Sequence, residues 1–373
     1  MIYLDNNATT YPLEGLDSYL APFLTKPLNP SSIHYEGRYA RKLLEEARSS
    51  VAESLNISIN KNERKIIFTS SATEANNLVI NNFRNNIVLY SPVCHLSAIE
   101  PAKNCNNSIC LEVDNCGHIR LQHLEENLQK ISGAKFLVTV IMANNETGII
   151  EPLDDIIDLS HKYGGFVHAD CAQAYSKMDI DDLVKKIDFI TISSHKIGGL
   201  TGAGALIAPF EFELDSMLLG GGQEKKARSG TESMIPIISF GFAASNIYNM
   251  RKEFQKKIRE IRDFTEETLS RSGKSAIIIG KEVTRLPNTL MISMKDVSAR
   301  LQLMKFDIRG ICVSNGSACS SGVVKHSHVL KAMGYQDDIL DTSIRVSFGI
   351  NNTIEDAKEF ILAWQEIERE YEK

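Results

Sequence analysis

The sequence lacks the features that mark membrane and secreted proteins. No apolar run is long enough for a membrane-spanning helix. The first residues, Met1 to Asp5, contain neither the basic region nor the cleavage site of a signal peptide. We therefore expect a soluble cytoplasmic protein with no membrane partner. A processed organellar form that has lost its presequence is the alternative.

Paired cysteines and an excess of basic charge are also missing. None of the seven cysteines forms a Cys-x-x-Cys pair, which argues against a structural zinc site and gives no reason to expect a metal. The scattered, odd-numbered cysteines favour free thiols in a reducing compartment. The net charge of −6 provides no strongly basic face, so a nucleic acid is not expected as a partner.

The composition is that of a large globular protein. With 373 residues, of which 43% are hydrophobic and 24% charged, the chain can bury a large core and form two domains. Predicted strands and helices alternate along its first part. Residues 236–272 then read as a long helix or a helix pair, which is the candidate linker, and the remainder fits a smaller α+β unit.

Two predicted strands end in polar residues that indicate chemistry. The apolar strand at residues 166–169 ends in Asp170, and the strand at residues 189–192 ends in a Ser-Ser-His run before Lys196. Ligands bind at the carboxyl ends of strands in open α/β sheets, so both clusters should face one crevice. A lysine can hold an aldehyde cofactor as a Schiff base, and a carboxylate can pair with a pyridinium nitrogen. A helix cap for Asp170 and a solvated position for Lys196 are the alternatives.

Other polar positions also follow predicted strands. A strand at residues 65–69, a turn of small residues and a helix starting near Thr73 could form a phosphate site, because the first N–H groups of a helix are unsatisfied. Ordinary helix capping is the alternative. His95 follows the strand at residues 87–90 and could lie over a planar cofactor or move protons. A packed structural histidine is the alternative.

Three further segments complete the candidate site. Cys319 lies among residues of minimal bulk at 315–322, so its thiol should be mobile and accessible, whereas a tight buried turn is the alternative. Arg345 lies in a predicted strand, where its planar group suits a substrate carboxylate. A surface salt bridge would explain it equally well. The glycine-rich residues 220–232 indicate a loop that approaches a ligand closely, or an ordinary surface turn.

Taken together, these motifs resemble the cysteine desulfurases of the NifS/IscS type, which are pyridoxal-phosphate enzymes of the class V aminotransferase fold. The matching motifs follow the family's order along almost the whole chain. They are residues 3–10, residues 29–34, residues 72–74, residues 144–148, Asp170 with Gln173, residues 193–196, residues 228–231, residues 316–319 and residues 343–345.

The resemblance implies a fold and an assembly. The fold is α/β, with a large domain like that of aspartate aminotransferase built on a mostly parallel sheet at residues 13–250. A smaller α+β domain, formed by residues 1–12 and 251–373, carries the catalytic cysteine loop. The cofactor would be pyridoxal 5′-phosphate and the enzyme a homodimer.

The resemblance also assigns a role to each candidate residue. Lys196 would hold the cofactor aldehyde and move the substrate proton, Cys319 would be the nucleophile, and His95 would stack on the cofactor ring. Asn145 and Arg345 would bind the substrate. The other cofactor contacts would be Ala72, Thr73, Asn145, Asp170 at the pyridine nitrogen, Gln173 at the phenolic oxygen, Ser193, His195 and, from the other subunit, Thr231.

The implied reaction converts L-cysteine to L-alanine. Cys319 would take the sulfur as a persulfide and pass it to an acceptor protein for iron–sulfur cluster, thio-cofactor or transfer-RNA biosynthesis. Selenocysteine lyase or transaminase activity and a catalytically silent interaction protein are the alternatives. The chain departs from the family pattern at Cys171 and at residues 197–202 and 323–326. It also ends without the longer tail of the IscS branch, so we do not expect that branch's scaffold partner.

Overall fold

Three β-sheets surrounded by helices make up the fold. The computed structural model describes residues 1–58, 63–272, 276–315 and 326–371. Within these ranges, no helix is both long and apolar enough to cross a membrane. The predicted nucleophile Cys319 lies outside the described residues.

Twelve strands occur in the described part of the chain. They are β1 (Ile2–Tyr3), β2 (Arg64–Thr69), β3 (Ile87–Tyr90), β4 (Asn107–Cys110), β5 (Phe136–Ile141), β6 (Phe166–Asp170), β7 (Phe189–Ser193), β8 (Gly204–Pro209), β9 (Ala276–Ile279), β10 (Thr289–Met294), β11 (Ile311–Cys312) and β12 (Ser343–Ser347).

Twelve α-helices accompany them in the same ranges. They are α1 (Leu16–Leu20), α2 (Tyr35–Ser54), α3 (Ala72–Asn81), α4 (Leu96–Lys103), α5 (Leu121–Lys130), α6 (Leu153–Lys162), α7 (Asp181–Lys186), α8 (Met234–Ser272), α9 (Ala299–Ile308), α10 (His328–Ala332), α11 (Asp337–Thr342) and α12 (Ile354–Tyr371).

The central sheet has seven strands in the order β2-β8-β7-β6-β5-β3-β4. Only β8 runs antiparallel to its neighbours, and the other pairs are parallel. Successive residues of one strand pack on opposite faces: Ile66 and Phe68 enter one apolar cluster and Ile67 enters another. Burial on both faces explains why these strands are nearly continuous apolar runs. The predicted α/β class with a mostly parallel sheet is confirmed.

The two smaller sheets join the beginning of the chain to its end. β1 pairs in parallel with β11, while β12, β10 and β9 form an antiparallel sheet. Leu4, Phe306 and Trp364 belong to the same apolar cluster beside this sheet. The N-terminal residues therefore reach their positions only by packing against C-terminal ones.

Helix α8 connects the two cores. Phe240 packs in an apolar cluster of the central sheet, and Ile258 packs in the cluster beside β10 and β12. The predicted helix or helix pair is thus one helix of 39 residues. The predicted domain boundary at residue 250 lies inside this helix, and the division into two domains remains a prediction.

A left-handed turn follows β8. Glu224, Lys225 and Lys226 all have positive φ angles, of 44°, 57° and 69°, a conformation that is costly for residues other than glycine. Glu224 is buried and accepts hydrogen bonds from the Arg48 guanidinium at 2.8 Å and from the backbone N–H of Phe68 at 2.7 Å. These bonds anchor the turn to α2 and β2.

The central sheet contains one fully buried histidine. His168, in β6, hydrogen-bonds through Nδ1 to Thr139 Oγ1 at 2.7 Å and through Nε2 to Thr191 Oγ1 at 3.0 Å. Burial lowers the pKa of His168 to about 4. The ring is therefore neutral at physiological pH.

Candidate active site

Lys196 lies just beyond the carboxyl end of β7, in a 3-10 turn. Its Nζ donates hydrogen bonds to the backbone carbonyls of Asn7 and Ala8, the latter at 2.7 Å. Burial and the nearby charge of Arg345 lower the pKa of Lys196 to about 8, while Asp5 and Asp170 act in the opposite direction. Much of the amine is therefore uncharged at mildly alkaline pH.

Asp170 ends the neighbouring strand β6 and is 4% exposed. Its Oδ2 accepts a hydrogen bond from Asn76 Nδ2 at 2.8 Å, and its Oδ1 accepts one from the backbone N–H of Ala172 at 3.0 Å. Because β6 and β7 are adjacent and parallel, Asp170 and Lys196 lie at the same edge of the sheet. The two bonds fix the carboxylate in one orientation.

A chain of hydrogen bonds connects Asp170 to His95. Asn76 Nδ2 also donates to Ser97 Oγ at 2.9 Å, and Ser97 Oγ lies 2.7 Å from His95 Nδ1. The backbone N–H of Ser97 donates to the same Nδ1 at 3.2 Å, so the neutral ring carries its proton on Nε2. Burial lowers the pKa of His95, with Lys196 lowering it further and Asp170 opposing the shift. His95 is therefore a neutral N–H donor.

Gln173 and the N-terminal residue Asn7 meet beside these groups. Gln173 Nε2 donates to the Asn7 carbonyl at 2.9 Å, and Gln173 Oε1 accepts a bond from Lys177 Nζ. Asn7 is 1% exposed, and its Nδ2 donates to the Asn145 carbonyl at 3.0 Å. The predicted site residues Gln173 and Asn145 are thereby joined to Lys196 through one asparagine.

Arg345 is buried rather than placed in a surface salt bridge. It is 4% exposed, and its Nη2 lies 2.6 Å from Asp5 Oδ1. Its Nη1 donates to the Asn145 carbonyl at 3.0 Å, and its Nε finds no hydrogen-bond partner among the described residues. The guanidinium is fixed in place and contributes positive charge next to Lys196.

The predicted phosphate site lies at the start of α3. Ala72 and Thr73 form its first turn, with Thr73 exposed. Gly204, which pairs with Ser193 across the sheet, approaches Ser71 so closely that an added Cβ would lie 2.4 Å from its carbonyl carbon. The Ser193 hydroxyl is buried and has no hydrogen-bond partner among the described residues. A buried free hydroxyl beside a helix N-terminus suits a bound anion.

His195 lies in the turn that follows β7. Its Nδ1 is 3.2 Å from Thr9 Oγ1, and burial together with the charge of Lys196 lowers the pKa of His195 to about 4. The ring is neutral, so it would contribute a hydrogen bond rather than a positive charge to an anion.

Comparison with known proteins decides the family. The class-V aminotransferase model matches residues 2–360. The chain belongs to the class-V aminotransferase family. It is 34% identical over 369 residues to the putative cysteine desulfurase IscS 1 of Bacillus subtilis (strain 168), covering 96% of both chains. It is 35% identical over 358 residues to a cysteine desulfurase of Nostoc sp., covering 93% of this chain and 88% of that one.

Solved structures agree with these sequence relatives. The NifS-like protein from Rickettsia africae ESF-5 shares 38% identity, with a TM-score of 0.93 and coverage of 98% and 99% of the two chains. SspA, solved in complex with cysteine, shares 25% identity, with a TM-score of 0.77 and coverage of 93% and 99%. The predicted membership among NifS/IscS-type class-V aminotransferases is confirmed.

Thr231 is the predicted site residue of this class-V aminotransferase that the structure leaves apart from the described cluster. Thr231 is exposed and makes no hydrogen bond with any described residue. Arg228, in the same loop, bonds Glu74 in the first turn of α3 at 2.9 Å, which places the loop near the predicted phosphate site of its own chain. Cys319 lies outside the described residues, so its role stays a prediction.

Three residues were missed by the sequence patterns. Asn7 falls within a matched motif but received no role, Asn76 lies inside α3, and Lys177 is the buried neighbour of Gln173. The available signal for Lys177 was its spacing of four residues from Gln173. Its polar environment depends on the N-terminal segment, which is remote in sequence.

Proposed function

We propose that this enzyme is a pyridoxal 5′-phosphate-dependent cysteine desulfurase that converts L-cysteine to L-alanine. The observation that carries the proposal is the position of Lys196 and Asp170 at the carboxyl ends of adjacent strands, with Arg345 beside them. The related cysteine desulfurases and the SspA–cysteine complex support L-cysteine as the substrate.

The residues present fit the cofactor. Asp170 would pair with the pyridine nitrogen, Gln173 would bond the phenolic oxygen, and His95 would stack on the face of the ring. The free hydroxyl of Ser193 supports a phosphate position at the start of α3. The remaining phosphate and cofactor contacts would come from Ala72, Thr73, Asn145, His195 and, from a second subunit, Thr231. When bound, pyridoxal phosphate supplies an aldehyde that captures the substrate amine and a protonated ring that withdraws electrons from its α-carbon.

Side chains of the protein transfer the proton, bind the substrate carboxylate and supply the nucleophile. Lys196 would hold the cofactor aldehyde, and once the substrate amine has displaced it, its free amine, with a pKa of about 8, would accept the α-proton of the substrate. The neutral His95 would donate a hydrogen bond from Nε2–H without giving up the proton. Arg345 attracts the substrate carboxylate, while Asp5 keeps the guanidinium from turning away. The Cys319 thiolate would attack the substrate sulfur as the Cβ–S bond breaks. The electron pair of that bond would stay with the carbon, which takes up a proton to give alanine, and the sulfur would remain on Cys319 as a persulfide.

The product sulfur passes from Cys319 to an acceptor protein that serves iron–sulfur cluster, thio-cofactor or transfer-RNA biosynthesis. We place the enzyme in the cytoplasm, because the six described cysteines are all free thiols. It acts as a homodimer: Leu219, in the loop that carries Thr231, is 90% exposed, and a large exposed apolar side chain of this kind favours an interface with a second copy.

The test measures both products. Purified holoenzyme is incubated with L-cysteine and a reducing thiol, and alanine and sulfide are quantified beside Cys319→Ser and Lys196→Ala variants. Equimolar alanine and sulfide from the wild type, with neither from the variants, are expected. Alanine and sulfide from Cys319→Ser at the wild-type rate would reject this cysteine as the nucleophile, and a silent wild type with bound cofactor would reject the proposed activity. Light scattering of the protein as it elutes from a size-exclusion column gives its molar mass and tests whether it is a dimer.

A further inference from the structure

A second lysine lies buried beside the predicted catalytic one. Lys177 is 4% exposed, and its Nζ donates to Asn7 Oδ1 at 2.7 Å and to Gln173 Oε1. The reaction outlined above gives this amine no role. Buried lysines are rare unless a specific arrangement requires them, so its position calls for an explanation.

Lys177 and Lys196 are connected through one residue. The Asn7 side-chain oxygen accepts the bond from Lys177, and the Asn7 backbone carbonyl accepts bonds from Lys196 and from Gln173. Both lysines also line the same cavity of about 20 Å³, which is large enough for a single water molecule. A change at Lys177 is therefore transmitted directly to the groups around Lys196.

The amine of Lys177 determines how two amides are oriented. A lysine amine has at least two N–H donors in either protonation state, and here it has two carbonyl acceptors, Asn7 Oδ1 and Gln173 Oε1. Rotating either amide by half a turn would bring an NH₂ group against the amine. The NH₂ group of Gln173 must therefore point away from Lys177, toward the Asn7 carbonyl and the candidate cofactor site.

The charges around Lys177 favour its uncharged form. Lys196 faces it from the turn after β7 and Arg345 faces it from β12, and no carboxylate in the described part of the chain accepts a bond from it. Asp5 is paired with Arg345, and Asp170 acts on Lys196 from the end of β6. Burial and the two neighbouring cations lower the pKa of Lys177 well below its ordinary value. Because both acceptors are carbonyl oxygens, the amine donates to them whether or not it is protonated.

We infer that Lys177 is a positioning residue that orients Gln173 and Asn7 and, through the Asn7 carbonyl, places the amine of Lys196. This inference rests on the proposed function, in which Gln173 donates to the cofactor's phenolic oxygen. A correctly oriented Gln173 stabilises the anionic form of that oxygen, so Lys177 sets the pH at which the bound cofactor loses its proton.

The test is a pH titration of the visible absorbance of the holoenzyme. Lys177→Met removes both donors while keeping a long apolar chain, and we expect the titration midpoint to rise by about one pH unit. Dissociation of the cofactor should be about tenfold more favourable. Ser176→Ala alters the lining of the same cavity and should titrate like the wild type.

Repeating the Lys177→Met substitution in a Gln173→Ala variant separates a positioning effect from a general disruption of the fold. If Lys177 acts through Gln173, Lys177→Met should cause no further shift in Gln173→Ala, because coupled residues are not additive. An unchanged midpoint for Lys177→Met, or an equal shift in both backgrounds, would overturn the inference. If Lys177→Met does not fold, Lys177→Gln replaces it, since the shorter side chain cannot reach both carbonyls, and the same upward shift is expected.

The titration also distinguishes this inference from the proposed function. If the wild type binds no cofactor, the proposed function fails. If the wild type binds cofactor and Lys177→Met titrates identically, only the positioning role fails.

Discussion

Asn76 donates a hydrogen bond to Asp170, with 2.8 Å between the amide nitrogen and the carboxylate oxygen. The same amide nitrogen donates to Ser97, which in turn contacts His95. One buried asparagine in α3 therefore orients two groups that belong to different segments of the chain, the carboxylate at the end of β6 and the imidazole that precedes α4.

This arrangement predicts a loss of cofactor affinity in Asn76→Ala. The carboxylate of Asp170 loses one of its two donors, so its orientation toward the pyridine nitrogen is less well fixed. We expect the cofactor dissociation constant to increase about tenfold, as for the loss of one hydrogen bond to a charged group. Asn81→Ala, in the same helix but outside the site, is the matched control. Equal affinity in Asn76→Ala and the wild type, measured by fluorescence titration, would contradict the prediction.

The buried ring of His168 predicts a loss of stability in acid. Its pKa is about 4 in the folded protein and ordinarily 6.5, so the unfolded chain takes up a proton first as the pH falls. The resulting stability is complete above pH 6.5 and is lost toward pH 4, amounting to about 2 kcal/mol between pH 7 and pH 5.

The measurement is urea unfolding of the wild type and His168→Gln at pH 7, 6 and 5. Gln can bond both threonines but does not titrate, so the free energy of unfolding of the variant should fall less steeply. His123→Gln, whose ring is partly exposed, should follow the wild type. Parallel curves for His168→Gln and the wild type would refute the explanation.

From the buried carboxyl of Glu151 we expect the opposite effect, a stability that falls as the pH rises. It is 5% exposed, accepts a bond from the backbone N–H of Ile119 at 3.1 Å, and burial raises its pKa to about 8. The folded state therefore holds a proton that the unfolded chain releases above about pH 4.5, and stability falls as the pH rises to 8.

Glu151→Gln should remove this loss because the amide needs no proton. Its melting temperature should exceed that of the wild type by an amount that grows from pH 5 to pH 8. Glu53→Gln changes an exposed residue of α2 and should leave the difference near zero. A variant that is less stable than the wild type at pH 8 would argue against a protonated Glu151.

The anchored turn after β8 predicts a large effect of one buried ion pair. Arg48→Met leaves the Glu224 carboxylate buried without its cation, which we expect to cost about 3–5 kcal/mol of unfolding free energy. Arg41→Met breaks an exposed pair with Glu45 and should cost less than about 1 kcal/mol. Denaturant unfolding compares them, and similar values for the two variants would show that the pair does not hold the turn.

Sequence patterns predicted correctly those elements that depend on residues adjacent in the chain. The predicted strand at residues 87–90 coincides with β3, and the one at residues 189–192 lies within β7, because each is a short apolar run. The argument from strand ends brought Asp170 and Lys196 together correctly. It succeeds because adjacent parallel strands must end at one edge of the sheet.

Contacts between distant segments were not predictable in this way. Lys177 reads as one more lysine in a polar stretch, and only the fold shows that Asn7, far away in sequence, accepts its hydrogen bond. Helix α4 was missed because it is short and contains Pro101. The patterns also left α8 open as one helix or two, since length alone does not decide whether a helix continues between two cores.

The pairing of β1 with β11 has a consequence for the synthesis of the protein. The ribosome makes Asn7 among the first residues, but the partners that hold its segment in place, Cys312 and Ser347, are among the last. Until β12 emerges, the Asn7 carbonyl is present in the nascent chain but is not held in position to receive the amine of Lys196. The catalytic pocket is therefore assembled after translation is nearly finished, and a prematurely terminated chain cannot complete it.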